Sequence, residues 1–425
     1  LIVSHNFPPD GYGGVEVYSF GLAKELVSMG HAVSVLYPRE VRTGLPECVE
    51  EQPRNGIRVF RLHSHKAPSV RIYGLNIFRQ ARYSFVTHSR PVEDAFKKLL
   101  DGNRFDIVHF HGLHHHLPLS LLEVARTAGL PSCITLHDAW LICPRTHLYI
   151  PGRKEISSGP SSVEKCTDCI FEGALPFLKT RVREMIAARQ RYAREILDGA
   201  DMIAAPSRFI ADRFESNGFA RGRIQVSPLG IAPIAAFPGR RSAAGVVFGA
   251  MGAIHRLKNT LHLVDSFKKV AGTSRLILWG NGNRKYIRMV EKSLRKDPRI
   301  EYRGPYTPEQ IPGLLSELDV VVIPSLVESY SLVAREALAG GVPVLASNVG
   351  GIPEIIDHGV NGLLFDPSSA YDLSQRLQEL SDDPAMIERL RAGIKPPKTI
   401  GEDASEWANR YIELAGRRSG HSDGN

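Results

Sequence analysis

Short apolar runs alternate along this chain with longer segments whose apolar residues recur every three or four positions. In the first half the strand-like runs are 1–4, 32–37, 106–111, 132–136 and 202–207, and the helix-like segments are 15–29, 117–128 and 209–216. Alternating strands and helices are typical of parallel strands joined by helical crossovers. We therefore predict an α/β domain with a doubly wound parallel sheet over residues 1–230.

The second half repeats this rhythm after a segment rich in Pro, Gly and Arg at 237–245, which we interpret as a hinge. Strand-like runs lie at 246–251, 276–279, 299–303, 320–323 and 342–346, with helix-like segments at 260–270 and from 331 onward. We predict a second Rossmann-like domain over 231–400. Two such domains joined by a hinge enclose a cleft, which is a preferred place for a ligand. A helix at 401–416 and a polar, disordered tail at 417–425 complete the prediction.

Two glutamates eight residues apart, Glu328 and Glu336, are the most informative chemical feature. Glu328 follows the β-branched run 320–323, and Glu336 lies two turns into the predicted helix, so both belong to the strand edge where α/β sheets bind ligands. Free amides near Ser331 and Leu332 at the helix start can hold a phosphate, while a carboxylate can accept hydrogen bonds from hydroxyl groups. In the alternative interpretation Glu328 only caps the helix and Glu336 is an ordinary surface charge.

The stretch 324–350, with its trailing Gly-Gly-Val-Pro-Val, resembles the donor-site signature of glycosyltransferase family 4. These are retaining enzymes with two Rossmann-like domains facing a cleft, the GT-B architecture. The resemblance implies that Glu328 lies by the donor sugar and that Glu336 binds the nucleotide ribose. It also implies that the helix at 401–416 crosses back to the N-terminal domain.

Further donor contacts follow from the same resemblance. The loop with Gly13 and Gly14 matches the family's Gly-Gly-Val loop facing the donor phosphates, although a tight turn would also use glycine. Lys258 matches the family's phosphate-binding lysine, and Gly280 and Gly282 end a strand on the donor side. The family's arginine position is Ala253 here, a departure for which Arg256 is the candidate replacement. Without a basic group on the diphosphate, stabilisation of the leaving group would weaken.

Histidines follow two strands of the N-terminal half. We expect His109 and His111 to point to opposite faces of their strand, with only His111 directed to the ligand edge. The family carries a histidine there that hydrogen-bonds the donor sugar, so His111 joins Glu328 and Lys258 as the implied catalytic group. His137 and Asp138 end the next strand and are candidates for positioning the acceptor.

Three of the five cysteines, Cys143, Cys166 and Cys169, fall in the insertion at 140–171. The spacing of the last two suits a metal-binding hairpin, with His147 as the nearest candidate for a fourth ligand. The thiols either bind a structural zinc ion or remain reduced and free. No Asp-x-Asp motif ends a strand at the cleft, so we expect catalysis without a metal cofactor.

Composition narrows the partners and the compartment. The odd cysteine number and the absence of a secretory signal favour a reducing cytoplasm. A net charge of +8 admits anionic partners, but no nucleic-acid motif accompanies it. The segment 178–197 is a basic amphipathic helix, which either docks on its own domain or contacts an anionic membrane from the cytoplasmic side.

The function predicted from the sequence is transfer of a sugar from a nucleotide-diphosphate sugar. The acceptor is expected to be a cell-envelope polysaccharide or a lipid-linked glycan precursor. Two alternatives share the architecture: a nucleotide-sugar epimerase and a nucleotide-sugar-binding protein with impaired catalysis. Ala253 is the observation that favours the last of these.

Overall fold

The computed structural model describes residues 1–41, 44, 46–65, 87–113, 116–150, 155–160, 162–170, 176–236, 245–369 and 371–419. Most of the predicted hinge therefore lies outside the described residues, as do parts of the insertion. The chain divides into two units, one formed by Leu1–Gly230 with Ile400–Asn425 and the other by Ile231–Thr399.

The first unit is built on an eight-stranded sheet in the order β10-β9-β6-β5-β1-β2-β4-β3. All neighbouring strands are parallel except β3 and β4, which form an antiparallel pair at one edge. The strands are β1 (Ile2–Val3), β2 (Ser34–Val41), β3 (Glu47–Arg54), β4 (Ile57–His65), β5 (Val108–Phe110), β6 (Ser132–Thr135), β9 (Met202–Ala205) and β10 (Ile224–Val226). The helices are α1 (Gly14–Ser28), α2 (Arg90–Asp101), α3 (Leu121–Thr127), α4 (Val163–Ile170), α5 (Pro176–Asp198), α6 (Arg208–Glu215) and α13 (Ile400–Ser419).

The last helix of the chain, α13, belongs to this first unit. Its Asp403 is fully buried and accepts hydrogen bonds from the Tyr18 hydroxyl of α1 at 2.9 Å and from the Gly230 amide at 2.8 Å. Two donors satisfy the buried carboxylate, as burial of a charged group requires. The helix runs to Ser419, so residues 417–419 are helical although we predicted them to belong to a disordered tail.

The second unit contains a fully parallel six-stranded sheet in the order β13-β12-β11-β14-β15-β16. Its strands are β11 (Val247–Met251), β12 (Arg275–Trp279), β13 (Ile300–Tyr302), β14 (Val320–Ile323), β15 (Val344–Ser347) and β16 (Gly362–Phe365). Its helices are α7 (Thr260–Phe267), α8 (Arg284–Leu294), α9 (Ile311–Ser316), α10 (Leu332–Ala339), α11 (Asp372–Asp382) and α12 (Pro384–Ala392).

Strand β14 shows why this unit folds as a layered sheet. Val320 and Val322 pack into a core on one face, whereas Val321 and Ile323 pack into a separate core on the other. A strand buried on both faces needs a continuous apolar run rather than an alternating one. The run of four β-branched residues therefore determines that helices cover both sides of the sheet.

The insertion at 140–171 contains regular secondary structure. It contains the short antiparallel pair β7 (Tyr149–Ile150) and β8 (Glu155–Ile156), followed by α4. The buried Arg189 of α5 supports its start by donating to the backbone carbonyls of Trp140 and Leu141, the latter at 2.8 Å. Among the helices that the structure describes, none is long and apolar enough to cross a membrane.

Candidate active site

The start of α10 is the centre of the predicted donor site. Ser331 caps the helix, since its Oγ accepts a hydrogen bond from the Ala334 amide at 3.4 Å. The amides of Leu332 and Val333 lie in the first turn, where an α-helix offers them no acceptor. This end of the helix therefore carries the partial positive charge that attracts an anion.

Lys258 and Glu328 meet beside this helix start. The Lys258 ammonium group forms an ion pair with Oε1 of Glu328, and the Ser325 hydroxyl donates to the same oxygen at 2.9 Å. The Glu328 side chain is 8% exposed, whereas that of Lys258 is 35% exposed. The structure thus brings two of the predicted catalytic residues into contact, and the lysine keeps access to solvent.

These groups line a pocket in the second unit, at the carboxyl ends of β11 and β14. Its wall includes Gly252, Ala253, Lys258, Glu328 and Ser331. Arg256, the candidate to replace the arginine missing at position 253, is exposed and does not line this pocket. Lys258 is therefore the cationic side chain in the described lining.

Glu336 lies outside that lining, on the part of α10 that faces Tyr306. Burial raises the pKa of Glu336 to about 7, and burial together with the Glu336 charge raises the pKa of Tyr306. Among the described residues, no side chain or backbone group forms a hydrogen bond or ion pair with this carboxylate. A desolvated carboxylate without a partner is energetically unfavourable, which is typical of a group that awaits a ligand.

Gly280 and Gly282 serve the packing of two loops. A Cβ atom at position 280 would collide with the Gly252 carbonyl, and one at 282 would collide with the Ile254 carbonyl. The Ile254 amide donates to the Asn281 carbonyl at 2.8 Å, which joins the loops. Close backbone approach therefore accounts for both glycines, and their contact with the donor stays a prediction.

A support for Glu328 that our sequence analysis missed comes from Gly350 and Gly351. The Gly351 amide donates to the Glu328 carbonyl at 3.0 Å. Gly350 has a φ of 59°, and a Cβ atom there would collide with the same carbonyl. The glycine pair, separated from the end of β15 by two residues, was the available signal, because adjacent glycines permit such close approach.

In the first unit, the carboxylate of Glu16 lies against the glycine loop at the start of α1. Gly13 caps the helix, and a Cβ atom at this position would collide with the Glu16 carboxylate. Burial alone would raise the pKa of Glu16. Nε2 of His5 lies 3.2 Å from Oε1 of Glu16, and this contact brings the pKa of Glu16 below its ordinary value. A negative charge in the first turn already offsets the partial charge of this helix end. The partial positive charge of the helix start at Gly13 and Gly14 is thus already offset by the Glu16 carboxylate.

The histidine arrangement corrects our prediction of opposite faces. The rings of His109 and His111 lie against each other with centroids 3.9 Å apart and ring planes inclined by 42°, because residues two apart on a strand share a face. Nδ1 of His111 lies 3.0 Å from Nε2 of His137, and Nε2 of the buried His111 has no hydrogen-bond partner among the described residues. Burial lowers the pKa of all three histidines well below the ordinary value. The cluster is therefore neutral at physiological pH.

His111, His137 and Asp138 line a second pocket, in the first unit. Burial raises the pKa of Asp138, while the Trp140 amide, which donates to its Oδ1 at 2.8 Å, opposes that rise. The structure thus brings together the predicted sugar-binding histidine and both acceptor-side candidates. The hydrogen bond that Asp138 accepts from the Trp140 amide also stabilises the backbone at the start of the insertion.

Burial, and then the nearby thiols of Cys143 and Cys169, raise the pKa of Cys166 to about 12. The three cysteines of the insertion therefore lie near one another. Cys166 and Cys169 occupy α4 rather than a metal-binding hairpin. Within the described part of the chain, no three His, Cys, Asp or Glu side chains are arranged to hold a metal ion. Structural zinc stays a prediction without geometric support.

Family models match both units of this chain. A model described as Glycosyltransferase Family 4 matches residues 12–233, and one described as Glycosyl transferases group 1 matches residues 245–383. A D-inositol 3-phosphate glycosyltransferase of Pseudarthrobacter chlorophenolicus is 28% identical and aligns over 96% of this chain and 92% of its own length. An uncharacterised glycosyltransferase of Methanocaldococcus jannaschii is 25% identical over 98% of this chain and 99% of its own.

Solved structures share the fold. Sucrose-phosphate synthase from Thermosynechococcus elongatus superimposes with a TM-score of 0.70 at 19% identity, covering 98% of this chain and 99% of that one. Anabaena HepE in complex with UDP gives 0.61 at 16% identity, covering 100% and 99%. Two parallel α/β units of this kind are the GT-B fold class. The chain belongs to glycosyltransferase family 4.

Proposed function

We propose that this glycosyltransferase transfers a sugar from a nucleotide-diphosphate sugar to a hydroxyl of a glycan or lipid-linked acceptor, with retention of anomeric configuration. The observation that carries the proposal is the group formed by Lys258, Glu328 and the start of α10. A cation and free helix amides suit a diphosphate, and a carboxylate beside them suits the hydroxyls of a sugar. The solved structure of Anabaena HepE, which shares this fold, is described as a complex with UDP. This likeness supports a nucleotide donor.

In the proposed reaction, Lys258 leaves its ion pair with Glu328 to meet the donor diphosphate. The amides of Leu332 and Val333 share the negative charge that develops as the sugar–phosphate bond breaks. Glu328 then remains fixed by Ser325 and accepts hydrogen bonds from the sugar. The acceptor hydroxyl attacks on the face that the phosphate leaves, and its proton passes to that phosphate. This route uses no metal ion.

Glu336 would accept hydrogen bonds from the ribose hydroxyls, and His111 from a hydroxyl of the sugar. His137 and Asp138 would border the acceptor, in the pocket they line with His111. The relatives named as D-inositol 3-phosphate glycosyltransferases make this polyol phosphate a first candidate acceptor beside lipid-linked glycans. We place the reaction in the cytoplasm, at the inner face of the membrane.

The deciding experiment combines a panel of nucleotide sugars with candidate acceptors and measures nucleotide release and the anomeric configuration of the product by NMR. The Lys258→Gln variant should lose at least about tenfold in kcat/KM, since it removes one charged contact from the leaving group. The exposed Lys296 provides a matched control, Lys296→Gln, which should keep native activity. An inverted product, or equal activity of Lys258→Gln and native protein, would refute the mechanism.

A second candidate function is nucleotide-sugar binding without transfer, favoured by Ala253 and by the position of Arg256 away from the pocket. Isothermal titration with UDP and UDP-glucose, combined with the assay of nucleotide release, separates the two functions. Binding without nucleotide release in the presence of any acceptor would support the second candidate. The variant Ala253→Arg would then restore the missing cation and should raise turnover.

A further inference from the structure

The buried histidines of the first unit form a hydrogen-bonded arrangement that the proposed function does not by itself require. His109 on β5 is held on both sides, with Nδ1 at 2.6 Å from the Tyr411 hydroxyl and Nε2 at 2.8 Å from the Thr135 hydroxyl. Both of its ring nitrogens are therefore occupied. Its ring lies against that of His111, with the centroids 3.9 Å apart and the ring planes inclined by 42°.

The side chain of His111 has one hydrogen-bond partner among the described residues. Its Nδ1 lies 3.0 Å from Nε2 of His137, a hydrogen-bond distance between two ring nitrogens. In a neutral imidazole one nitrogen carries the proton and the other accepts. Because burial keeps both rings neutral, a single proton lies between them.

Two arrangements of that proton are possible, and the free nitrogen of His111 distinguishes them. If His137 donated, His111 would carry a proton on Nε2, a buried N–H without an acceptor. If His111 donates from Nδ1, its Nε2 is a bare acceptor, and the second N–H of the pair lies on His137, whose side chain is partly exposed. Orphaned buried N–H groups are rarer than under-satisfied acceptors, so the second arrangement is favoured.

We propose that His137 is a positioning residue that accepts a hydrogen bond from Nδ1–H of His111 and thereby presents the unprotonated Nε2 of His111 to a ligand hydroxyl. The hydrogen bond made by one ring nitrogen sets the protonation of the other. A neutral acceptor in the pocket lined by His111, His137 and Asp138 suits a hydroxyl of a sugar or polyol rather than a phosphate. The identity of that sugar as the transferred one rests on the proposed function.

The first test is NMR of protein with ring-15N-labelled histidine, in the absence of substrate. Difference spectra with His111→Gln and His137→Gln assign the two rings among the 16 histidines of the chain. We expect a protonated Nδ1 and an unprotonated Nε2 for His111. The reverse pattern, or an imidazolium at pH 7, would overturn the proposal whether or not the protein transfers sugar.

The second test compares two substitutions of His137. The carbonyl of Gln can still accept from His111 Nδ1–H, whereas Phe keeps a ring but accepts nothing. We expect His137→Gln to keep the native tautomer of His111 and His137→Phe to lose it, with kcat/KM for sugar transfer about tenfold lower for Phe. The exposed His31, in the same unit, gives the control His31→Phe, which should match native protein.

Unchanged NMR signals of His111 in His137→Phe would contradict the proposal. If His137→Phe does not fold, the native spectrum and the His137→Gln comparison still decide it. If the native protein has no transferase activity, the proposed function fails, but the tautomer of His111 remains a separate result.

Discussion

The unpaired carboxylate of Glu336 should destabilise the protein as the pH rises, and the isosteric variant Glu336→Gln should remove that penalty. The pKa of this group is about 7 in the folded protein against an ordinary value of 4.5. The folded state therefore holds the proton more tightly than the unfolded state. Stability is fully present below pH 4.5 and is lost as the pH rises through 7.

The size of the effect follows from the shift. One pKa unit corresponds to about 1.4 kcal/mol, so the full penalty above pH 8 is about 3 kcal/mol. Partial access to water and the cost of burying the amide reduce the expected gain of Glu336→Gln to about 2 kcal/mol. At pH 4.5 the native carboxyl group is neutral, and the two proteins should then be nearly equal in stability.

Urea unfolding at pH 4.5, 6 and 8 measures this difference. Trp279 reports on the second unit, whereas Trp140 and Trp407 lie in the first, so the variant is compared in a background with both of the latter replaced by Phe. The exposed Glu291 on α8 provides the control Glu291→Gln, which should show no gain at any pH. A difference between native protein and Glu336→Gln that stays constant from pH 4.5 to 8 would refute the reasoning.

Three further predictions concern the support of Glu328, the hydrogen bond between α1 and α13, and the cysteines of the insertion. Gly350→Ala should destabilise the second unit by about 1 to 3 kcal/mol in urea unfolding and lower activity, because the new Cβ collides with the Glu328 carbonyl; unchanged stability would contradict this. Tyr18→Phe should cost about 1 kcal/mol or more, since it removes one donor from the buried Asp403, and a melting curve equal to that of native protein would disprove it. For the zinc hypothesis, metal analysis of protein purified without chelator should give about one zinc ion per chain, released as the three thiols of the insertion are titrated; protein without metal, in which these three thiols react at once, would show them to be free cysteines.

The sequence by itself determined the alternation of strands and helices in both units, but it did not reveal every element: the strands β3, β4, β10 and β16 and the helices α2, α8, α9, α11 and α12 were not predicted. The run 320–323, the capping Ser331 and the glycines that close α10 are local signals, and the structure has the strand at Val320–Ile323 and the helix at Leu332–Ala339. Such signals depend on periodicity and on backbone preferences of neighbouring residues, so they can be detected within about ten positions. The recognition of the family rested on the same stretch, because its glutamates are spaced along one strand–helix unit.

Only the tertiary structure decided which side chains meet. The contact of Lys258 with Glu328 joins residues 70 positions apart, and the bond of Tyr18 to Asp403 joins residues 385 apart. Local patterns carry no information about such pairs. The same limit explains why the packing role of Gly280 could not be seen from its position after a strand.

The chemical state of the site was also decided by tertiary structure. Whether Glu336 is an ordinary surface carboxylate or a desolvated one depends on the groups that surround it in space, here Tyr306 and the body of the second unit. The neutrality of His111 likewise results from burial among other rings. The sequence supplied the reactive groups, and the exclusion of water by distant residues set their charge.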